Sequence, residues 1–174
     1  VLLAETICSR FNSIDKVRFT NSGTEANLMA LGAAKAYTNR EKIMVFEGGY
    51  HGGVLYFKSG PSPVNAPYQF ISLPYNDIEA TISAIRENSE DLAAVLIEPM
   101  LGSGGCIPAK KDFLLAIREE TEKYNTCLIF DEVMTSRNSS GGLQKLLGIQ
   151  PDLTTLGKYL GGGASFGAFG GKLE

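Results

Sequence analysis

The sequence predicts an α/β fold, three layers (αβα) with a mostly parallel central sheet. Three observations carry that expectation. Strand-like apolar runs alternate with segments of helical period along the chain. Two of the runs, LAAVLI (92–97) and CLIF (127–130), are apolar throughout instead of alternating, as in strands covered on both faces. The glycines, 20 in all, gather at the ends of apolar runs, at 48–49, 52–53, 102–105, 141–142, 161–163 and 170–171. That placement suits tight loops along one edge of a sheet, where backbone approaches a ligand.

The elements follow in order. Residues 2–11 have helical spacing, and 16–19 form a short strand. Residues 24–37, rich in Ala, Leu and Met with Glu25 in the first turn, form a helix. KIMVF (42–46) is a strand. Residues 47–67, rich in Gly, Pro and Ser, are too long for a plain connector. Residues 68–73 are a strand, and Asn76 or Asp77 caps a helix running to about residue 87. After the strand at 92–97 come a glycine loop and a helix from about 110 to 123. Residues 126–130 and 153–156 are further strands, and 166–169 the last. No internal repeat is present. Ligands of such sheets sit beyond the carboxyl ends of the strands, and Gly23, Tyr50, Glu98, Asp131 and Lys158 each follow a strand.

The 174 residues suffice for one domain with a substantial core. A net charge of −3 without a basic stripe argues against nucleic acid as the main partner. No apolar run reaches the length of a membrane span, and no signal peptide is evident. Cys8, Cys106 and Cys127 lack metal-ligand spacing, which points to a reducing, cytosol-like compartment and to no metal. The chain opens without methionine inside a helical pattern and stops just after Leu173, so an internal piece of a longer protein is expected.

Two residues carry the most chemistry. Asp131 ends one buried strand (TCLIFDEV), and Lys158 ends the next short apolar run (DLTTLGK) before Gly161. A carboxylate and an amine so placed suit pyridoxal 5'-phosphate, whose aldehyde condenses with a lysine and whose ring nitrogen needs an acid to stay protonated. A lysine that shuttles protons must be neutral, so burial of Lys158 is expected. A surface lysine and a metal-binding or turn-capping aspartate are the plainer alternatives. Glu132, beside Asp131, is expected to make surface or interface contacts.

The other motifs are weaker singly. Asn21-Ser22-Gly23-Thr24 lies between a strand and a helix, where small residues and a helix N-terminus favour an anion. Alone it reads as a helix N-cap, and it lacks the P-loop pattern. In Tyr50-His51-Gly52 the aromatic ring can stack on a flat cofactor. His51 is the only histidine, which argues against a catalytic triad or a histidine-based zinc site. Alone, it reads as a hydrogen-bonding or surface residue. Glu98-Pro99 ends a buried strand, and the carboxylate needs a partner, with a structural ion pair the plain reading.

Taken in order, NSGTEA (21–26), YHG (50–52), EP (98–99), FDEV (130–133) and TTLGK (154–158) resemble the class III aminotransferases, pyridoxal phosphate enzymes of fold type I. The resemblance covers nearly the whole chain. It implies that 1–174 is the cofactor-binding large domain, lacking an N-terminal segment and a C-terminal small domain, and that the full-length form is a cytoplasmic homodimer. Its partners would be a small amino donor and a keto acid acceptor. Ser22, Gly23 and Thr24 would hold the cofactor phosphate, Tyr50 would stack on the ring, Asp131 would pair with its nitrogen, Val133 would pack beneath it, and Lys158 would form the Schiff base. His51 and Glu98 fall within the matched motifs and join the cofactor-binding set. Ser103 falls where some relatives contact the ring hydroxyl.

Two subgroups are similar. NSGTEA, PYND (74–77), DEVMT (131–135) and PDLTTLGK (151–158) look like glutamate-1-semialdehyde 2,1-aminomutase. YHGGVL (50–55), DEVMTSR (131–137) and KYLGGGASFGAFGG (158–171) look like β-amino acid transaminases. The aminomutase carries a longer gating loop than residues 53–67 provide, and a proline where Ser165 stands. An aminotransferase, acting on an amino acid that could be a β-amino acid, is therefore expected. The aminomutase is the alternative, and a catalytically silent scaffold of the same fold the third reading.

Overall fold

In the middle strands both sets of alternating side chains are apolar, so the sheet has no wet face. Ile43 and Val45, Ala94 and Leu96, Cys127 and Ile129 point to one side, where they meet Ala30, Leu31 and Ala34. Met44 and Phe46, Val95 and Ile97, Leu128 and Phe130 point to the other, where they meet Ile85, Phe113, Leu114 and Ile117. Period-two alternation between two apolar cores requires a helical layer on each face. The structure, a computed structural model describing residues 1–172, has that three-layer form.

In chain order the elements are α1 (Leu2–Arg10), β1 (Lys16–Thr20), α2 (Gly23–Thr38), β2 (Lys42–Phe46), β3 (Gly49–Tyr50), β4 (Tyr56–Phe57), β5 (Gln69–Leu73) and α3 (Ile78–Glu87). Then come β6 (Leu92–Ile97), β7 (Met100–Leu101), β8 (Ile107–Pro108), α4 (Lys111–Lys123), β9 (Cys127–Asp131), α5 (Gly142–Leu147), β10 (Leu153–Gly157) and β11 (Gly167–Gly171). Short 3₁₀ turns follow β9 (Thr135–Arg137) and β10 (Lys158–Gly161). The main sheet is ordered β1-β11-β10-β9-β6-β2-β5. Strands β10, β9, β6, β2 and β5 pair in parallel, and β11 runs antiparallel to both of its neighbours.

Helix α2 covers the face behind the site. Its first turn is closed from both sides: Ser22 Oγ accepts the Glu25 amide at 3.1 Å, and the Glu25 carboxylate reaches back to the Asn21 amide at 2.8 Å. It ends at Asn39 in the left-handed conformation (φ 54°), which asparagine tolerates better than most residues. Asp77 rather than Asn76 caps α3, accepting the Ala80 amide at 3.0 Å.

The structure differs from the sequence reading in several places. The segment 47–67 contains a small ribbon, β3–β4, and a second ribbon, β7–β8, follows β6. Helix α5 was not expected, because six residues opening on glycine carry little periodic signal. The last strand extends through Gly171, because its glycines form ladder and not loop. Glu132 is fully buried, not at a surface. Its carboxylate accepts from Thr135 Oγ1 (2.8 Å), the amides of Leu143 (2.7 Å) and Gln144 (2.9 Å), and Gln144 Nε2 (3.1 Å), so it fixes the start of α5.

Strand β11 is glycine-rich because it lies between crowded backbones. A Cβ on Gly170 would collide with the Lys16 carbonyl and stand 2.6 Å from Ile14 Cγ2. Gly170→Ala is therefore expected to push β1 off the sheet edge and cost about 1–3 kcal/mol. Urea unfolding of the intact protein checks this, and an unchanged midpoint would contradict it.

Candidate active site

Asp131 is the last residue of β9, and Lys158 is the first after the neighbouring parallel strand β10. Parallel pairing therefore brings the acid and the amine to one end of the sheet. The Asp131 carboxylate is buried (4% exposed) and held by three donors. His51 Nδ1 and Asn27 Nδ2 both lie 2.8 Å from Oδ2, and the Val133 amide donates to Oδ1 at 3.0 Å. An ionised carboxylate only accepts, so Nδ1 is the protonated nitrogen of His51. Asn27 Nδ2 donates also to the His51 carbonyl at 3.0 Å, and Thr155 Oγ1 donates to Asn27 Oδ1 at 2.7 Å.

Glu98 lies next to this group and is also buried. No cation pairs with it among the described residues, so the expected ion pair is not formed. Its two oxygens instead accept the amides of Tyr50 and Gly102, each at 2.9 Å, and its carbonyl accepts from Tyr75 Oη at 2.7 Å. One side chain thus ties the Tyr50 loop to the Gly102 loop. Burial pushes the Glu98 carboxyl above its ordinary range and Asp131 adds to this, while His51 and the two amides pull it back. Burial, with Glu98 nearby, likewise drives the Tyr75 phenol well above its usual range.

Close backbone approach shapes the floor. A Cβ on Gly23 would stand 2.9 Å from both Val133 methyls, and one on Gly157 would stand 3.2 Å from Val133 Cγ1. Gly52 has φ 130°, and a Cβ there would run into the Thr24 hydroxyl. Glycines at 23, 52 and 157 therefore let the Ser22–Thr24 turn, the His51 loop and β10 meet around Val133. At the head of α2 the Glu25 and Ala26 amides are taken by Ser22, while those of Gly23 and Thr24, in the first turn, have no intrahelical acceptor. Those two amides and the Ser22 hydroxyl form a cradle suited to an anion.

The remaining candidates lie at the rim. Tyr50 is exposed, its ring edge-on to Tyr56 at 5.4 Å. Ser103 is exposed on the Gly102 loop. His51 is buried behind Asp131 and hydrogen-bonds its carboxylate, so of its two plain readings the hydrogen-bonding one holds and the surface one does not. Glu98 is a clamp between loops. Lys158 is exposed, contrary to the burial expected of it, because no segment of the described chain lies over the turn it occupies. Its backbone is left-handed (φ 47°), a conformation costing a lysine about 1–2 kcal/mol.

Sequence reasoning missed Asn27, Thr155 and Tyr56. The signal for the first two was weak: Asn27 lies four residues after Gly23 on α2, and Thr155 stands opposite Asp131 in the β9–β10 register. A cavity of about 680 Å³ lies at the other end of the sheet, lined by Thr126, Cys127, Leu153 and the Arg118–Asp152 pair (3.0 Å). Its size does not make it the site, because the convergent polar groups stand at the carboxyl ends of the strands. Burial, with a smaller push from Asp152, raises the Cys127 thiol there to about 11, which leaves it protonated and inert. Among the described residues there is no group of three or more metal-ligating side chains, and no helix is long and apolar enough to cross a membrane.

The family model "Aminotransferase class-III" matches residues 1–174. The chain belongs to the class III aminotransferases. It is 57% identical over 172 residues to the β-phenylalanine transaminase of Variovorax paradoxus, covering 99% of this chain and 40% of that protein. The crystal structure of a β-phenylalanine aminotransferase from the same organism superposes with a TM-score of 0.97, covering 98% of this chain and 40% of that one. A glutamate-1-semialdehyde 2,1-aminomutase of Thermodesulfovibrio yellowstonii is 44% identical over 189 residues, covering all of this chain and 44% of that protein. A transaminase structure with PLP bound superposes at TM-score 0.88 with 36% identity, covering 98% of this chain and 43% of that one. The chain thus spans about two fifths of the length of these relatives. The class III family and its pyridoxal phosphate cofactor agree with the sequence resemblance, and the superposition agrees with the fold-type I architecture.

The raised Glu98 carboxyl gives a signed pH dependence. Between the ordinary 4.5 and its higher folded value, the native state holds a proton that the unfolded state has lost. Stability therefore falls as pH rises through that window. Glu98→Gln removes this slope and strands one loop amide, a pH-independent loss of about 1–3 kcal/mol. Urea midpoints from pH 4.5 upward should show wild type losing ground relative to the variant; a constant difference would contradict the assignment.

Proposed function

We propose that the intact protein is a pyridoxal phosphate-dependent aminotransferase that moves an amino group between an amino acid and a keto acid, with β-amino acids the preferred donor class. The observation that carries this reading is the pairing of the buried, triply held Asp131 with Lys158 at the ends of adjacent strands β9 and β10. The left-handed backbone of Lys158 supports it, because strain kept at a turn needs a compensating role.

The residues present fit the cofactor. Among the described residues Asp131 Oδ1 accepts one hydrogen bond, from the Val133 amide, and keeps acceptor capacity. The Ser22–Thr24 turn offers an anion cradle, and Val133 between Gly23 and Gly157 offers an apolar floor. When bound, pyridoxal phosphate supplies an aldehyde for amine exchange and a ring that takes up electron density. Asp131 would hold a proton at the ring nitrogen through a charge-assisted bond. Lys158 Nζ would hold the cofactor at its aldehyde and, as a free amine, would serve as the proton carrier of the site. Tyr50 would cover the ring, and Glu98 holds the backbone of Tyr50. These assignments extend to Ser22, Gly23, Thr24 and, at the ring hydroxyl, Ser103.

Alignment lengths favour the transaminase over the aminomutase. The Variovorax paradoxus enzyme aligns over 172 positions with 99% of this chain, whereas the aminomutase needs 189 positions for its 174 residues. At least 15 aminomutase positions therefore have no counterpart here. This agrees with residues 53–67 being shorter than the aminomutase's gating loop, and so with release of a product over retention of a diamino intermediate. The exposed rim at Lys158, Tyr50 and Ser103 supports a homodimer in which a second copy closes the site. The unpaired cysteines fit the reducing cytoplasm.

Borohydride reduction of the intact protein with pyridoxal phosphate, followed by peptide mapping, is expected to label Lys158. Lys158→Ala should lose the label and at least about 10²–10⁴-fold in amine transfer. Folded protein labelled elsewhere or not at all would overturn the reading, and turnover without keto acid release would move it to the aminomutase. Sedimentation at the size of a monomer would remove the dimer.

A further inference from the structure

Asn27 belongs to none of the motif roles assigned above, yet its amide is fully used at the centre of the buried network. It is 1% exposed and stands on α2, four residues after Gly23. Its Nδ2 donates to Asp131 Oδ2 (2.8 Å) on β9 and to the carbonyl of His51 (3.0 Å) in the loop after β3. Its Oδ1 accepts from Thr155 Oγ1 (2.7 Å) on β10, and Thr155 is fully buried. One amide therefore joins the helix of the anion cradle, the strand bearing the acid, the strand leading to Lys158 and the loop bearing Tyr50.

The orientation of that amide is decided chemically. Asp131 Oδ2 and the His51 carbonyl are both acceptors, so the NH₂ group must face them. The amide oxygen then points away from them, where among the described residues the Thr155 hydroxyl meets it. Without that hydroxyl the oxygen is a buried, unsatisfied acceptor, and the amide is held less firmly. Turning would set an oxygen against the Asp131 carboxylate. Of the titratable groups beside Asp131, His51 already bonds the same oxygen through Nδ1, and the Glu98 oxygens are acceptors taken by two amides, so neither can replace the Asn27 donor.

We propose that Asn27, anchored at its amide oxygen by Thr155, is a positioning residue that aims the Asp131 carboxylate at the cofactor ring nitrogen. The proposal rests on the reading of Asp131 as the partner of that nitrogen. Asn27 acts through Asp131 and touches no reacting atom. It also explains why a helix interior spends an asparagine, which lowers helix propensity, on a fully buried position.

The test uses the intact protein loaded with pyridoxal phosphate, compared as wild type, Asn27→Ala, Thr155→Val, Thr155→Ser and Asp131→Asn. The readouts are the absorption spectrum of the bound cofactor across pH without substrate, and cofactor affinity by fluorescence titration. Asn27→Ala and Thr155→Val are expected to shift the spectral titration in the same direction as Asp131→Asn and to weaken cofactor binding by about 10- to 100-fold, the worth of one hydrogen bond to a charged group. Thr155→Ser, which keeps the hydroxyl, should restore the wild-type titration. A merely structural role would lower unfolding temperature and leave the spectrum alone. If Asn27→Ala does not fold, the isosteric Thr155→Val and its serine rescue decide. Wild-type spectra in Asn27→Ala or Thr155→Val, with Asp131→Asn altered, would overturn this proposal alone. A wild-type spectrum in Asp131→Asn would overturn the underlying reading and this proposal with it.

Discussion

A buried carboxylate must be fully solvated by the protein, and the architecture around Asp131 answers that demand. The side chain has almost no contact with water and gathers donors from an asparagine, a histidine and a backbone amide. Each donor comes from a different part of the chain, so α2, the loop after β3 and the turn after β9 are tied at one point. Thr155 extends the tie into β10, whose end carries Lys158. Removing the carboxylate would leave three buried donors facing one another, a cost of several kcal/mol by ordinary estimates.

Glu98 and Glu132 repeat the same device nearby. Both are buried acids without a cation among the described residues; Glu98 is satisfied by two backbone amides, and Glu132 by two backbone amides, a hydroxyl and the Gln144 side chain. Glu98 joins the loops that carry Tyr50 and Ser103, and Glu132 joins β9 to α5. Three acids at the carboxyl ends of two neighbouring strands thus fix the loops beyond them. The glycines complete the arrangement by letting backbones meet where side chains would collide, as Gly23 and Gly157 do against Val133. Precision therefore comes from the sheet and α2, while Tyr50, Ser103 and Lys158 stand at an open rim.

Much of this was legible in the sequence because it is local. The apolar runs at 92–97 and 127–130 gave two-sided burial, and the alternation of strand and helix gave the layers. The end of each strand gave the location of Gly23, Tyr50, Glu98, Asp131 and Lys158. What could not be read was long-range. Asn27 and Asp131 are 104 positions apart, and Asn27 and Thr155 are 128 apart, so no window contains either pair. Glu132 was misplaced because its neighbour Asp131 faces the site; a strand that ends in a turn lets consecutive acids both be buried, each on its own partners. The burial expected of Lys158 is a demand of chemistry, and the described chain supplies no cover for it.

The central claim is that Asp131 is held so as to keep a proton on the cofactor ring nitrogen. Nitrogen NMR of the intact protein loaded with pyridoxal phosphate isotopically labelled at that nitrogen tests it directly. The account predicts the chemical shift of a protonated ring throughout the pH range in which the protein is folded and active. The shift of an unprotonated pyridine at neutral pH, in protein whose Lys158 carries the cofactor, would contradict it.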